Sequence, residues 1–136
     1  MAGYNTNLAS EFYVLAALHR LGAEATLTLG NRKAIDIVIV QGAGRAITID
    51  VKGVAGKWDW PADNIRRPAN AARHFIVLVS FEGRFGIPDE RPSVWVVPYA
   101  KIGGFTKQYR GRRNISRARI KDRGSAYRDA WTLLRP

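Results

Sequence analysis

The chain has 136 residues, of which 46% are apolar, with 22 Lys plus Arg, 11 Asp plus Glu and no Cys. This size and composition are typical of one globular domain, and the lack of Cys excludes disulfides and thiolate metal ligands. No apolar run approaches the roughly 20 residues of a membrane span, and the first residues lack the apolar stretch of a signal peptide. We therefore expect a cytoplasmic protein with no membrane partner, whose net charge of +11 favours an anionic one.

The first half of the chain predicts a helix and then three strands. Residues 7–21 have the period of an amphipathic helix. Its apolar stripe consists of Leu8, Phe12, Leu15 and Leu18. Residues 25–29 predict a short strand. Residues 35–40 and 46–51 are rich in β-branched side chains and are joined by a loop that contains Gly, which is typical of a β-hairpin.

The middle of the chain predicts a short helix followed by two strands. Asp63 or Asn64 is the expected cap of the helix, which runs to about Ala72. Residues 74–81 and 93–97 follow as apolar strands.

The end of the chain predicts one more helix, capped by Ser125. Its apolar face would consist of Tyr127, Trp131 and Leu134. Taken together, the elements predict one α/β domain over residues 1–136, with a mixed, partly antiparallel central sheet flanked by helices.

Most of the positive charge lies in residues 101–136, a basic C-terminal extension of the same domain. Residues 1–100 hold 11 basic and 9 acidic side chains, whereas residues 101–136 hold 11 and 2. Such a one-signed cluster is typical of a nucleic-acid-binding surface, although a solvated face that keeps the protein soluble is the alternative. The candidate phosphate-binding residues are Lys107, Arg110, Arg112, Arg113, Arg117, Arg119, Lys121 and Arg123.

The predicted hairpin places two aspartates opposite each other. If the hairpin is symmetric about Ala43, six β-branched side chains form one apolar face. They are Ile35, Ile37, Ile39, Ile47, Ile49 and Val51. The other face then carries Asp36 directly across from Asp50, with Cβ atoms roughly 5 Å apart, and Lys52 two residues further on. Because like charges at this distance repel, the pattern indicates a divalent cation between the two carboxylates.

Glu11 is a third candidate carboxylate, because it falls on the apolar stripe of the first helix. It lies three residues after Leu8 and four before Leu15. Acids on an apolar stripe are uncommon unless they have a partner. The alternative is a favourable interaction with the positive end of the helix dipole. Together with the aspartates and the lysine, the position favours a functional role.

The series Glu11, Asp36 and Asp50-Val51-Lys52 resembles the PD-(D/E)XK nuclease superfamily, which includes many restriction enzymes and the archaeal-type Holliday junction resolvases. The resemblance covers about residues 7–81 and implies a restriction-endonuclease-like core of the order αβββαβ. Ile35 stands where the family motif has Pro, and the third-motif acid is Asp50 rather than Glu, which leaves the subfamily open.

The resemblance implies a Mg²⁺-dependent endodeoxyribonuclease that hydrolyses phosphodiester bonds, with Mn²⁺ as a substitute. In such enzymes the metal would be held by Asp36, Asp50, the backbone carbonyl of Val51, and Glu11 directly or through water. Lys52 would orient or deprotonate the attacking water, or stabilise the developing charge; its alternative is an ordinary lysine paired with Asp50. The small resolvases further suggest branched or structured DNA as the substrate and a homodimer.

Other features leave alternatives open. Trp58 and Trp60 either stack on a base or anchor their loop to the core, and the second is the more common use of such a pair. Lys57, Arg66 and Arg67 either contact phosphates or form a solvated surface. The competing functions are a nucleic-acid-binding module without catalysis, for DNA or RNA, and a basic ribosome-associated protein.

Overall fold

The structure is a computed structural model that describes residues 2–28 and 35–135. The helices are α1 (Ala2–Arg20), α2 (Tyr99–Ile102) and α3 (Arg117–Arg123). The strands are β1 (Glu24–Leu27), β2 (Ile37–Val40), β3 (Ala46–Val54), β4 (Trp60–Pro61), β5 (His74–Ser80), β6 (Ser93–Pro98), β7 (Thr106–Tyr109) and β8 (Arg112–Ile115). Short 3₁₀ turns cover Ala71–Arg73, Gly103–Phe105, Ser125–Tyr127 and Trp131–Leu134. In the part of the chain described, no helix has the length and apolar character to span a bilayer.

The central sheet has five strands in the order β1-β2-β3-β5-β6. Strands β3 and β5 are parallel, and every other pair of neighbours is antiparallel. A second, three-stranded sheet has the order β4-β8-β7. The predicted mixed α/β class with a partly antiparallel sheet is confirmed. The predicted strand over residues 25–29 corresponds to β1, and its last residue, Leu29, lies outside the described residues.

Both faces of the central sheet are buried, which explains the continuous apolar runs of β5 and β6. One face packs against α1, where Val14 and Leu18 contact the isoleucines of the hairpin. The other face packs against Trp60, Ile115 and Ile120, so the basic C-terminal segment supplies part of the core. Residues 101–136 therefore pack against the sheet as part of the same fold.

The predicted helix between Asp63 or Asn64 and Ala72 does not form. The segment is irregular up to the 3₁₀ turn at Ala71–Arg73. Asp63 does not cap a helix, because its carboxylate accepts a hydrogen bond from the backbone N–H of Arg113 on β8 at 2.8 Å. Pro68 further disfavours a helix, since it has no N–H to donate. The αβββαβ order implied by the resemblance therefore lacks its second helix here.

The predicted final helix after Ser125 is also wrong. Asp129 has a left-handed backbone with φ of 50°, which a continuous α-helix does not allow. The three residues of the predicted face separate, since Tyr127 packs in one core layer and Trp131 and Leu134 in the other. The helix that does form, α3, is capped by Ser116, whose hydroxyl accepts from the N–H of Arg119 at 3.2 Å.

A shielded ion pair joins the C-terminal segment to the end of β5. Arg117 donates to Glu82 at 2.6 Å and to the hydroxyl of Ser80 at 3.1 Å, and the side chains of Arg117 and Glu82 are 12% and 13% exposed. Burial opposes the ionisation of Glu82, but the hydrogen bonds from Arg117 and Ser80 outweigh it and lower the pKa of Glu82 to about 2. This contact holds α3 against the sheet.

We predict that Glu82→Gln lowers the free energy of unfolding by about 2 kcal/mol at pH 7, because Arg117 loses its charged partner. The pKa of Glu82 is lower in the folded chain than its ordinary value of 4.5. Its stabilisation is therefore complete above about pH 4.5 and disappears as the pH falls through 2. Urea unfolding at pH 7 and pH 3 should show a smaller difference between wild type and variant at the lower pH.

Glu90→Gln is the matched control for this prediction. Glu90 pairs with Arg84 at 3.8 Å, and both side chains are about half exposed. Exposed pairs contribute about 0–1 kcal/mol, so this variant should unfold close to the wild type. An equal loss in the two variants would contradict the structural role of Glu82.

Candidate active site

The hairpin has the predicted register over Ile37–Val40, whereas the predicted pairs Ile35–Val51 and Asp36–Asp50 lie beyond the observed ladder. Ile37 pairs with Ile49 and Ile39 with Ile47. Beyond this ladder, the backbone N–H of Asp36 donates to the carbonyl of Ile49 at 2.7 Å. Strand β2 therefore stops pairing at the point where β3 continues from Asp50 to Val54. We call the side of β3 that extends past β2, from Val51 to Val54, the site edge.

The side chain of Asp36 occupies the start of the site edge. Its Oδ2 accepts a hydrogen bond from the backbone N–H of Val51 at 2.7 Å. The N–H and C=O of a strand residue point to the same side, as the paired residues of a ladder show. The carbonyl oxygen of Val51 therefore faces the same edge as the Asp36 carboxylate, and Val51 lines the cavity there.

Asp36 and Asp50 are both buried, with 7% and 4% of their surface exposed, and their side chains are hydrogen-bonded to each other. Burial raises the pKa of Asp50 to about 7, the Lys52 ammonium opposes the rise, and the neighbouring Asp36 carboxylate adds to it. Two buried carboxyl groups in contact cannot both ionise without a compensating cation. The Lys52 ammonium supplies one positive charge, and the carboxylate oxygens are of the kind that could also hold a divalent metal ion.

Lys52 is held by two side chains. Its Nζ lies 3.3 Å from Oδ1 of Asp50 and donates to Oδ1 of Asn64 at 2.9 Å. The lysine side chain is 14% exposed, and its pairing with Asp50 agrees both with a catalytic role and with the alternative of a lysine that only pairs with this carboxylate. Asn64 appeared in the sequence only as a candidate helix cap, and no local pattern indicated that it would reach Lys52.

Glu11 reaches the cavity of Asp50 and Lys52 from the opposite face of the sheet, the face that α1 covers. Strand alternation points Asp50 and Lys52 away from α1, which packs on the face of Ile49 and Val51. Glu11 is 8% exposed and lines the same cavity of about 560 Å³ as the two aspartates and Lys52. Over residues 2–28 and 35–135, however, no three acidic or histidine side chains are grouped tightly enough to bind a metal unaided.

The apolar stripe predicted for α1 differs from the buried face. Phe12 is 54% exposed, whereas Ser10 and Glu11 are buried beside Val14 and Leu18. The small side chains at this face allow α1 to approach β3 closely. A Cβ on Gly53 would lie 1.8 Å from the Oγ of Ser10, so only glycine fits there. This close approach brings Glu11 to the cavity.

The two tryptophans have different environments. Trp60 is fully buried, and its Nε1–H donates to the carbonyl of Val79 at 3.0 Å. Trp58 is 59% exposed and lines the cavity beside Lys52 and Asn64. The prediction that such a pair anchors its loop therefore holds for Trp60 and is wrong for Trp58.

Several of the candidate phosphate-binding residues have structural partners. Arg117 is buried against Glu82 and Ser80, as described above. Arg119 and Arg123 donate to the carbonyls of Thr106 and Gly104 at 2.9 and 3.0 Å, but both side chains remain exposed. Lys107 lies 3.6 Å from Asp59, and Arg113 donates to the carbonyl of Asp63 at 3.3 Å.

The remaining basic candidates are exposed in this structure. They are Lys57, Arg66, Arg67, Arg110, Arg112 and Lys121. The β7–β8 hairpin adjoins the cavity, because β8 pairs with Trp60–Pro61 of β4 and Pro61 lines the cavity. The exposed basic residues of this hairpin thus lie on the same three-stranded sheet as Pro61.

No protein-family model and no curated protein matches the chain. Among solved structures, the chain is similar to a bacterial homing endonuclease, I-Ssp6803I. The match has a TM-score of 0.62 at 18% identity and covers 98% of this chain and 93% of that chain. At this identity the likeness shows the fold alone, which the two chains share over nearly their whole lengths.

We predict that Gly53→Ala destabilises the protein by about 1–3 kcal/mol, because the new Cβ overlaps Ser10. Thermal and urea unfolding measure the loss. Replacing Ser10 by Gly removes both overlapping atoms, so Gly53→Ala should be less destabilising in a Ser10→Gly chain than in the wild type. Equal losses in the two backgrounds would show that helix α1 does not approach β3 as closely as the structure indicates.

Proposed function

We propose that the protein is a metal-dependent endonuclease that hydrolyses phosphodiester bonds in DNA, with its reaction centre at the site edge. The observation that carries the proposal is the contact of two buried aspartates beside a lysine that is itself held in place. The likeness of the fold to an endonuclease supports the same conclusion. Cleavage by a nuclease of the PD-(D/E)XK type is the specific form that we propose.

Mg²⁺ suits this donor set, and we propose it as the cofactor, with Mn²⁺ as a substitute. The ligands would be the carboxylates of Asp36 and Asp50 and the carbonyl of Val51, with Glu11 contributing directly or through water. Mg²⁺ typically takes one or two carboxylates and fills its other positions with water and substrate phosphate. A complete cluster of three acids is therefore not required. When bound, the ion would polarise the phosphate and lower the pKa of a water molecule.

Hydrolysis forms a bond from the water oxygen to phosphorus and breaks one ester P–O bond, whose oxygen leaves with a proton. Lys52 is the group that could take the proton of the water, orient that water, or stabilise the extra negative charge of the transition state. Its contacts with Asp50 and Asn64 fix the ammonium at the cavity wall, which favours either of the last two roles.

Exposed basic side chains around the cavity would hold the DNA backbone. Arg offers a planar pair of donors to phosphate oxygens, and such contacts add affinity that falls with salt concentration. Branched or structured DNA, and a homodimer that would supply two reaction centres, remain predictions from the resemblance.

We predict that the purified protein cuts DNA with Mg²⁺ or Mn²⁺ and not with a chelator. Supercoiled plasmid, single-stranded DNA and a four-way junction are the three substrates. Asp50→Asn and Lys52→Met should each reduce the cleavage rate by at least about a hundredfold, because the metal loses a ligand or the transition state loses a charge. Binding of the same DNA, measured in chelator, should persist in both variants.

Asp89→Asn is the matched control, because Asp89 is an exposed acid outside the cavity. It should cleave like the wild type. Binding without cleavage in every metal would refute the nuclease and favour a nucleic-acid-binding module without catalysis. Cleavage that survives Asp50→Asn would place the reaction centre elsewhere, and an RNA substrate in the same assay tests the other polyanion.

We also predict that Asn64→Ala slows cleavage about tenfold with little change in KM, because Lys52 loses the acceptor that fixes its ammonium. Asn64→Asp restores an acceptor oxygen and should recover part of the rate. The measurement is single-turnover cleavage with saturating DNA, together with unfolding curves to show that the fold is kept. Equal rates in wild type and Asn64→Ala would exclude a positioning role for Asn64.

A further inference from the structure

Trp58 is the largest apolar side chain that the structure leaves mostly exposed next to the cavity. It lies in the link between β3 and β4, two residues before Trp60. Trp60 already anchors this link, since it is fully buried and packs edge-on against Trp95 with ring centroids 5.7 Å apart. Burial of the link therefore does not account for a second tryptophan at 59% exposure.

The indole of Trp58 is nevertheless held in place on one side. A Cβ on Gly56 would lie 1.9 Å from Cζ3 of the ring, so the ring rests directly on the glycine backbone. The next residue, Asp59, is fixed by the N–H of Arg117 at 2.9 Å and by Lys107 at 3.6 Å. One face of the ring thus packs on the Gly56 backbone, the following residue is held by its own contacts, and 59% of the Trp58 surface stays exposed.

The exposed surface of Trp58 lies at the wall of the cavity that contains the aspartate pair. Lys52 and Asn64 line the same cavity. Exposed aromatic rings are the usual platforms on which nucleobases stack, because every base offers a π-face to such a ring. In a paired duplex the two faces of each base are covered by neighbouring bases, so a base must leave the stack to reach the ring.

We propose that Trp58 stacks on an unpaired nucleobase next to the phosphodiester bound at Asp36 and Asp50. The substrate class is then DNA with an unpaired base at the cleavage position, such as a single strand or a junction whose branch point opens to release a base, in preference to a perfect duplex. This inference rests on the proposed function for the position of the phosphate. The stacking itself is a binding property and can be measured without cleavage.

The test is DNA binding by the full chain in chelator, which prevents metal-dependent cleavage. The probes are a labelled single strand, a duplex of the same sequence and a four-way junction. Trp58→Ala should weaken binding of the single strand and the junction by roughly tenfold, with less than a twofold change for the duplex. Trp58→Phe, which keeps a ring, should recover most of the loss.

Tyr109→Ala is the matched control. Tyr109 is a comparably exposed aromatic residue, at 58%, on the β7–β8 hairpin and outside the cavity. Its removal should not change the preference between single strand and duplex. Unfolding curves of all variants show whether the fold is kept, and the exposure of Trp58 makes a large loss of stability unexpected.

A second measurement is the intrinsic fluorescence of Trp58. Adding single-stranded DNA should quench the emission of wild-type protein, and the quenched part should be missing in Trp58→Phe. Equal loss of affinity for single strand and duplex in Trp58→Ala would overturn the proposal, since the ring would then contact the backbone. An unchanged affinity for all three probes would overturn it as well.

The outcomes distinguish this inference from the proposed function. Selective loss of single-strand binding in Trp58→Ala, in a protein that never cuts DNA, supports the stacking platform and refutes the nuclease. Metal-dependent cleavage in a protein whose single-strand binding does not depend on Trp58 supports the nuclease and refutes the platform.

Discussion

The hydrogen bond from the Val51 N–H to the Asp36 carboxylate determines the geometry of the candidate site. The Asp36 side chain takes the place of the backbone carbonyl that would accept the next hydrogen bond between β2 and β3. As a result β3 continues beyond β2 with the carbonyl of Val51 turned to the same edge. The bond also brings the Asp36 carboxyl against Asp50. One backbone donor thus ends the hairpin ladder and pairs the two acids.

The same arrangement works against stability. Two buried carboxyl groups in contact raise the pKa of Asp50 to about 7, mainly through burial, so a folded chain that keeps both groups ionised pays a desolvation penalty. Residues whose burial opposes their charge are typical of functional sites. The surrounding contacts compensate: Lys52 lies beside Asp50, and the sheet is covered on both faces by apolar side chains. The apolar core therefore provides the stability that the aspartate pair lacks.

The parts of the fold that depend on local patterns could be predicted from the sequence. Alternation of β-branched residues fixed the register of Ile37 with Ile49, and that register placed Asp36 near Asp50. Features set by distant contacts could not be predicted. Asp63 was expected to cap a helix, but it bonds a strand fifty residues later. Phe12 had the spacing of a core residue, yet the close contact of Ser10 with Gly53 turns a different face of α1 to the sheet.

The basic residues fall into two groups, those bound within the fold and those exposed at the surface, and composition alone does not separate them. The guanidinium of Arg117 is mostly shielded from solvent and is bound to Glu82 and Ser80, so it is a structural group. Arg119 and Arg123 each use one donor on a backbone carbonyl and keep the rest of the guanidinium at the surface. Each Arg has five donors, so a residue can hold the β7–β8 hairpin in place and still face a phosphate. A count of basic residues therefore overstates the number of guanidinium groups that remain free at the surface.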